Sequence, residues 1–217
     1  MPELEEVSRR AQEALRLKHE AREQALPKSR AAIRCCANSI RAVHRYEFAR
    51  AAELRQEAAT LLVEISETLR GQSDIFYAGF VQDAQKEYAE AAITAALIQR
   101  QVLPMPEDLG IDWAPYLNGM GEAIGELRRA ILDRLRQGQL EDCEALLQDM
   151  DEIYALLTTL DFPDAITGGL RRTTDAARAI LEKTRGDLTI AMSQARLGAA
   201  IRAMNQRLDA GEKQNGH

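Results

Sequence analysis

The sequence predicts an all-α fold, and three observations carry that prediction. Ala, Leu, Arg, Glu and Gln dominate the 217 residues, and all five are strong helix formers. Aromatics make up only 5% and β-branched runs are scarce, so no segment reads as a strand. Gly and Pro, 13 and 6 in number, leave long stretches unbroken. The length fits one large domain better than two small ones. We expect that domain over residues 1–204, followed by a polar, flexible tail over 205–217.

The elements follow from the breakers. A first helix is expected from about Pro2 to Ala25, and Pro27 restarts the chain into a second over Lys28 to Arg45. The third, AAELRQEAATLLVEISETLRG, ends near Gly71. Ser73 or Asp74 is a plausible N-cap for the fourth, which continues to about Val102. PMPEDLGID is a loop. Asp112 precedes a fifth helix, WAPYLNGMGEAIGELRRAILDRLRQG, closed by Gly138. A sixth spans Leu140 to Leu160, DFPD interrupts, and a seventh runs from near Asp164 towards Met204. No internal repeat or interdomain linker interrupts this seven-helix bundle.

Composition excludes several classes. Apolar residues at 46% and charged residues at 29% are ordinary for a soluble protein with a real core. A net charge of −6 rules out a polycation, although Arg16 to Arg45 carries eight Lys/Arg against two Glu. Cys35, Cys36 and Cys143 have neither metal-ligand spacing nor an even disulfide count, which suits a reducing compartment. No apolar run reaches the ~20 residues that span a bilayer. The charged N-terminus MPELEEVSRR does not read as a signal peptide. The expected location is cytoplasmic, with no membrane partner.

The chemistry lies in misplaced carboxylates. On the fourth helix Phe76, Phe80, Ala84, Glu87, Ala91, Thr94 and Ile98 share one stripe, with Glu90 about 60° from Glu87. On the fifth, Glu122 and Glu126 lie one turn apart beside Tyr116, Gly119 and Ala123. A bare carboxylate in a core costs several kcal/mol, about enough to force protonation, pairing or metal binding. Helical bundles hold divalent cations with such inward carboxylates. His19, His44 and His217 all lie elsewhere in the sequence, so the oxygen-only set favours Mg²⁺ or Mn²⁺. The spacing alone is common: Glu3/Glu6, Glu20/Glu23, Glu64/Glu67 and Glu141/Glu144 repeat it as ordinary solvated faces. Arg129 lies on the Glu126 side, where a simple salt bridge is the competing reading.

On the second helix Arg30, Arg34, Arg41 and Arg45 fall within about 60° of one another, opposite Ile33, Cys36, Ile40 and Val43. This fits either a phosphate-contacting stripe or a solvated face paired with acidic neighbours. Phe76, Tyr77 and Phe80 read as core rather than base-stacking residues. Trp113, Tyr116 and Tyr154 read as core or subunit-contact residues. Gly119, Gly121 and Gly125 each weaken a helix by roughly 1 kcal/mol, which implies close helix approach or a bend.

Several segments together resemble a known family. YLNGMGEAIGELRR, from Tyr116 to Arg129, is similar to the segment of translin and translin-associated factor X that opens with Tyr-Leu and closes around Glu-Leu-x-Arg. EYAEA, from Glu87 to Ala91, resembles Glu-Tyr-Val-Glu-Ala of the factor X (TRAX) branch. KHEAREQALPKSRAAIR resembles its basic early segment, and DAARAILEKTRGDLTIA is similar in placement to the last long helix. The match keeps its order over about residues 10 to 192.

The resemblance implies a seven-helix translin-type fold, an octamer-like homo-oligomeric shell and binding of single-stranded RNA or DNA. A translin-like partner subunit is a further possibility it raises. The factor X branch is a metal-dependent endoribonuclease, whereas translin keeps the fold without the acidic site. By this likeness Glu87 and Glu90 match two catalytic glutamates, Glu122 falls where the family has a catalytic aspartate, and Glu126 matches a further acidic position. The expected activity is therefore endoribonuclease cleavage of single-stranded RNA. Glu87, Glu90, Glu122 and Glu126 would act as metal ligands and catalytic groups, and Arg30, Arg34, Arg41, Arg45 and Arg129 as RNA contacts. The alternatives are a non-catalytic nucleic-acid-binding oligomer, an all-α Mg²⁺-dependent nucleotide pyrophosphohydrolase and a ligand-free helical scaffold.

Overall fold

The structure, a computed structural model, describes the backbone over residues 1–215 and side chains over residues 1–207. In chain order the helices are α1 (Pro2–His44), α2 (Phe48–Thr68), α3 (Ser73–Phe76), α4 (Gly79–Ile98), α5 (Pro106–Leu109), α6 (Trp113–Arg136), α7 (Cys143–Thr158), α8 (Asp164–Thr167) and α9 (Leu170–Asn215). Six are long and three are single turns. There is no strand among the described residues, so the all-α class holds.

Pro27 does not divide the chain. The two expected N-terminal helices are one 43-residue helix with Pro27 inside it. The geometry explains the tolerance. Pro27 and Glu23 are both exposed, so the carbonyl deprived of its N–H partner faces solvent. Ala25 and Ser29, which flank the proline, are buried, and the Ser29 hydroxyl donates to the Phe80 carbonyl at 2.6 Å. Packing on the neighbouring helix holds both halves in line, where local propensity favours a break.

Other boundaries shift by a few residues. Ser73 and Asp74 belong to the α3 turn, and α4 starts at Gly79 after an extended Ala78. The expected PMPEDLGID loop contains the α5 turn. Gly138 does follow α6, at φ 72°, a conformation that glycine adopts without a Cβ penalty. The last helix continues past Met204 to Asn215 through most of the expected tail, of which 216 and 217 lie outside the described residues.

Helix α4 is the centre of the molecule. Val81, Ala84, Tyr88 and Ala91 join the α1 and α2 residues Ala25, Ala32, Cys36, Ile40, Ala58 and Ile65 in one core cluster. Ala89, Ile93 and Ala95 join Ile124, Leu127, Ile131, Leu146, Met150 and Leu181 in another. Its alanine-rich composition follows, because small side chains let helices approach from both sides. All three cysteines are free, and burial raises the thiol of Cys36 far above its ordinary range.

Candidate metal centre

Helices α4 and α6 come unusually close where the carboxylates lie. A Cβ added to Gly119 would sit 2.5 Å from the Lys86 carbonyl oxygen, 2.7 Å from the Ala89 Cβ and 2.9 Å from the Glu90 nitrogen. Glycine at 119 is therefore what allows α6 to meet α4 at this level. A Cβ on Gly121 would sit 2.5 Å from the Thr173 side chain, so glycine there admits α9, while a Cβ on Gly125 would meet nothing within 4 Å. Two of the three α6 glycines thus serve close approach; nothing in the structure explains the third.

The approach brings Glu87 and Glu90 of α4 together with Glu122 of α6. Each offers an oxygen within 4.8 Å of the others, and all three residues are half-buried. Burial, followed by the nearby Glu122 charge, raises the Glu87 pKa. For Glu90 burial, followed by Glu87, pushes it up to about 8. The chain has thus assembled negative charge that its own fold disfavours. An all-oxygen donor set of this kind fits a hard divalent cation.

Glu126 does not join this cluster; it is spoken for. His44 Nε2 lies 2.5 Å from its Oε2, and Arg129 Nη1 lies 3.7 Å from the same atom. The His44 hydrogen bond holds the Glu126 carboxyl below its ordinary pKa. The expectation that no histidine accompanies the acidic pairs is therefore overturned. His44 closes α1, and its side chain, 4% exposed, reaches across to α6 beside the buried Ile40, Ala42 and Val43. His217 lies outside the described residues.

Lys86 is the second group missed by the sequence reading. Its Nζ donates to Glu122 Oε1 at 2.8 Å. Burial works against the charged ammonium, yet the Glu122 hydrogen bond and the surrounding carboxylates outweigh it and keep the Lys86 pKa above its ordinary value. Beside the cluster opens a cavity of about 710 Å³ between α4, α6 and α9, with Glu90, Glu122 and Lys86 on one wall and Arg172 and Thr173 on the other.

The arginines of the expected RNA-contacting set are exposed. Arg30, Arg34, Arg41 and Arg45 line the outer face of α1, with Cys36, Ile40 and Val43 buried behind them. Arg45 is bound by Glu47 through two 2.9 Å contacts, and Arg41 donates to Asn38 at 2.6 Å. Arg30 and Arg34 have no carboxylate partner among the described residues. Of the aromatic residues expected in the core, Tyr116 is buried, while Tyr77 and Trp113 are 65% and 51% exposed. Tyr77 rests edge-on against Phe76, and Trp113 against Tyr116.

Fold and site together define an all-α bundle built around a carboxylate cluster between two closely packed helices. No protein-family model matches the chain. An uncharacterised protein of Methanocaldococcus jannaschii is 30% identical over 176 residues, spanning 79% of this chain and 76% of that protein. Among solved structures, an AfC3PO complex with duplex RNA is 32% identical at a TM-score of 0.78, covering 90% of this chain and 98% of that one. The crystal structure of AfC3PO is 31% identical at 0.77, with coverage of 90% and 99%. Apo-NeC3PO, 22% identical at 0.75 and covering 88% and 98%, shares the fold. These are archaeal and fungal structures of the translin and TRAX type, and the chain belongs to that family.

Proposed function

We propose that this chain is a divalent-cation-dependent endoribonuclease that cuts single-stranded RNA from an inward-facing carboxylate site of an oligomeric shell. The observation that carries this reading is the convergence of Glu87, Glu90 and Glu122 from two helices, with oxygens within 4.8 Å of one another. Their donor chemistry suits Mg²⁺ or Mn²⁺. When bound, such a cation offsets the charge of a phosphodiester and lowers the pKa of water at the site.

The chain's own residues supply the rest. Glu126 is kept ionised by His44 and left out of the cluster, and its Oε1, which neither His44 nor Arg129 contacts, would accept a proton from attacking water. Arg129, half exposed beside it, offers positive charge to the phosphoryl oxygens. Arg30, Arg34, Arg41 and Arg45 provide sequence-independent contacts to backbone phosphates. RNA as the polymer is supported by the likeness to AfC3PO, solved with duplex RNA. Assembly is supported by large apolar side chains left in the open at both extremities: Leu4, Val7 and Leu15 on α1, Ile190, Leu197 and Met204 on α9. The octamer-like count and the homo-oligomeric composition rest on the family resemblance.

One set of contacts favours a second reading, a non-catalytic RNA-binding oligomer. Lys86 on Glu122 and His44 on Glu126 already compensate two of the four carboxylates. A single experiment separates the two. Labelled single-stranded RNA is incubated with the protein in Mn²⁺, in Mg²⁺ and in chelator. Cleavage is expected only with the cation, and Glu87→Gln or Glu122→Gln should abolish it with the helical content unchanged. RNA retained but uncut under every condition selects the second reading, and undiminished cutting by either variant contradicts the first.

A further inference from the structure

Two cations line the cavity beside the carboxylate cluster, and only one of them is engaged. Lys86 of α4 is held by Glu122, to which its Nζ donates at 2.8 Å. Arg172 of α9 lines the same cavity and has no carboxylate within salt-bridge distance among the described residues, although Asp83, Glu90 and Glu122 all share these walls. The adjacent Arg171 is not part of the wall and donates instead to Asp161 at 3.0 Å.

The start of α9 fixes where Arg172 stands. Gly168 and Gly169, at φ 60° and 86°, turn the chain out of α8. The Thr173 hydroxyl donates to Asn118 Oδ1 at 2.6 Å, and the Asn118 amide donates to the Ala114 and Thr167 carbonyls at 2.9 and 2.7 Å. Asn118 is buried, so this network ties the first turn of α9 to α6. Glycine at 121 allows the two helices to meet there. The backbone carrying Arg172 is thereby anchored across the cavity from Glu90 and Glu122.

The cavity is larger than one ion requires. Its volume of about 710 Å³ falls within the range of small-molecule sites, about 300–1,000 Å³. Pro115, Ala177 and Ile180 give it an apolar wall. Helices α4, α6 and α9 all begin at this end, and neither α4 nor α9 has an acidic residue in its first turn. Their positive ends therefore reinforce Arg172. None of the lining residues belongs to α1, so the α1 arginines do not supply the cationic contact here.

We propose, resting on the reading of the site as one that acts on RNA, that this cavity seats one nucleotide of the strand beside the carboxylate centre. The Arg172 guanidinium holds a backbone phosphate of that nucleotide in its planar fork, and Pro115, Ala177 and Ile180 face the sugar and base. Arg172 binds and positions the strand; it takes no part in breaking the bond.

The test is made on the full chain in chelator, by fluorescence anisotropy with a short labelled single-stranded RNA at several salt concentrations. Arg172→Gln should weaken binding about tenfold and lower the slope of log K against log salt by about 0.7, the share of one phosphate contact on a single strand. Arg172→Lys keeps the charge without the fork, so it should keep the slope and lose less affinity. Arg171→Gln removes the same charge one residue away and should bind as the unsubstituted chain does. Both arginines are exposed, and all variants should melt together. Equal weakening in Arg171→Gln and Arg172→Gln, or none in Arg172→Gln, overturns the proposal. A parallel cleavage assay in Mn²⁺ keeps it distinct from the nuclease reading. Arg172-dependent binding without cleavage by the unsubstituted chain removes the nuclease and leaves the nucleotide site. Cleavage by a chain whose Arg172→Gln variant binds undiminished does the reverse. An unsubstituted chain that binds no RNA overturns both.

Discussion

Glu90 is the residue at which the electrostatics of the site are most exposed to measurement. Its pKa is raised from the ordinary 4.5 to about 8, by burial first and Glu87 second. A carboxyl raised on folding favours the folded state fully below its unfolded pKa and loses that advantage as pH climbs through the folded one. The metal-free protein should therefore lose stability between about pH 5 and 8, by up to about 1.4 kcal/mol per pH unit. Melting curves in chelator should show that decline, flattened in Glu90→Gln; an equal slope in both contradicts the assignment. The glutamates were legible because Glu87 and Glu90 interrupt an apolar stripe and Glu122 repeats the anomaly on another helix. Their partners were not. Lys86 precedes Glu87 in sequence but reaches over to α6, and His44 stands 82 residues from Glu126. Neither pairing leaves any trace in local spacing.

At the scale of elements, the decisive events are a proline that fails to break a helix and a glycine that lets two helices meet. The half after Pro27 is fixed by its own buried face, from Ser29 through Ala32, Cys36 and Ile40 to Val43, and that face sets His44 against α6. Because the proline is exposed within a helix interior, Pro27→Ala should stabilise the fold by about 1–3 kcal/mol, seen as a higher denaturation midpoint. No gain would contradict the reading that Pro27 is tolerated only because tertiary packing overrides its local cost. Gly119→Ala should act in the opposite direction. The added Cβ meets backbone of α4, which cannot swing aside, so a loss of about 1–3 kcal/mol is expected, together with weaker Mn²⁺ binding as Glu122 moves away from Glu87 and Glu90. Stability lost without any change in Mn²⁺ affinity would detach the close approach from the site. The sequence signalled a costly glycine on the carboxylate face, but only the facing helix reveals what that glycine accommodates. Pro27 misled for the converse reason: its local signal was genuine, and tertiary packing overrode it.

Across the whole molecule, α4 carries both cores on its two sides and the acidic residues on the remaining arc. The backbone that carries its carboxylates is therefore fixed from both sides. The all-α class and the order of its long helices followed from composition and breakers, since alanine-rich stretches without β-branched runs leave few alternatives. Which faces meet is set by side chains far apart in sequence, such as Ser29 with Phe80, and so emerges only in three dimensions. The claim on which the functional reading rests is that this rigid arrangement holds a divalent cation. Calorimetric titration with Mn²⁺ near pH 7, repeated in buffers of different ionisation enthalpy, tests it most directly. The account predicts saturable binding that releases protons, because Glu90 must ionise to coordinate, and a large loss of affinity in Glu122→Gln. Mn²⁺ binding that is absent, or equally tight in Glu122→Gln, would contradict it.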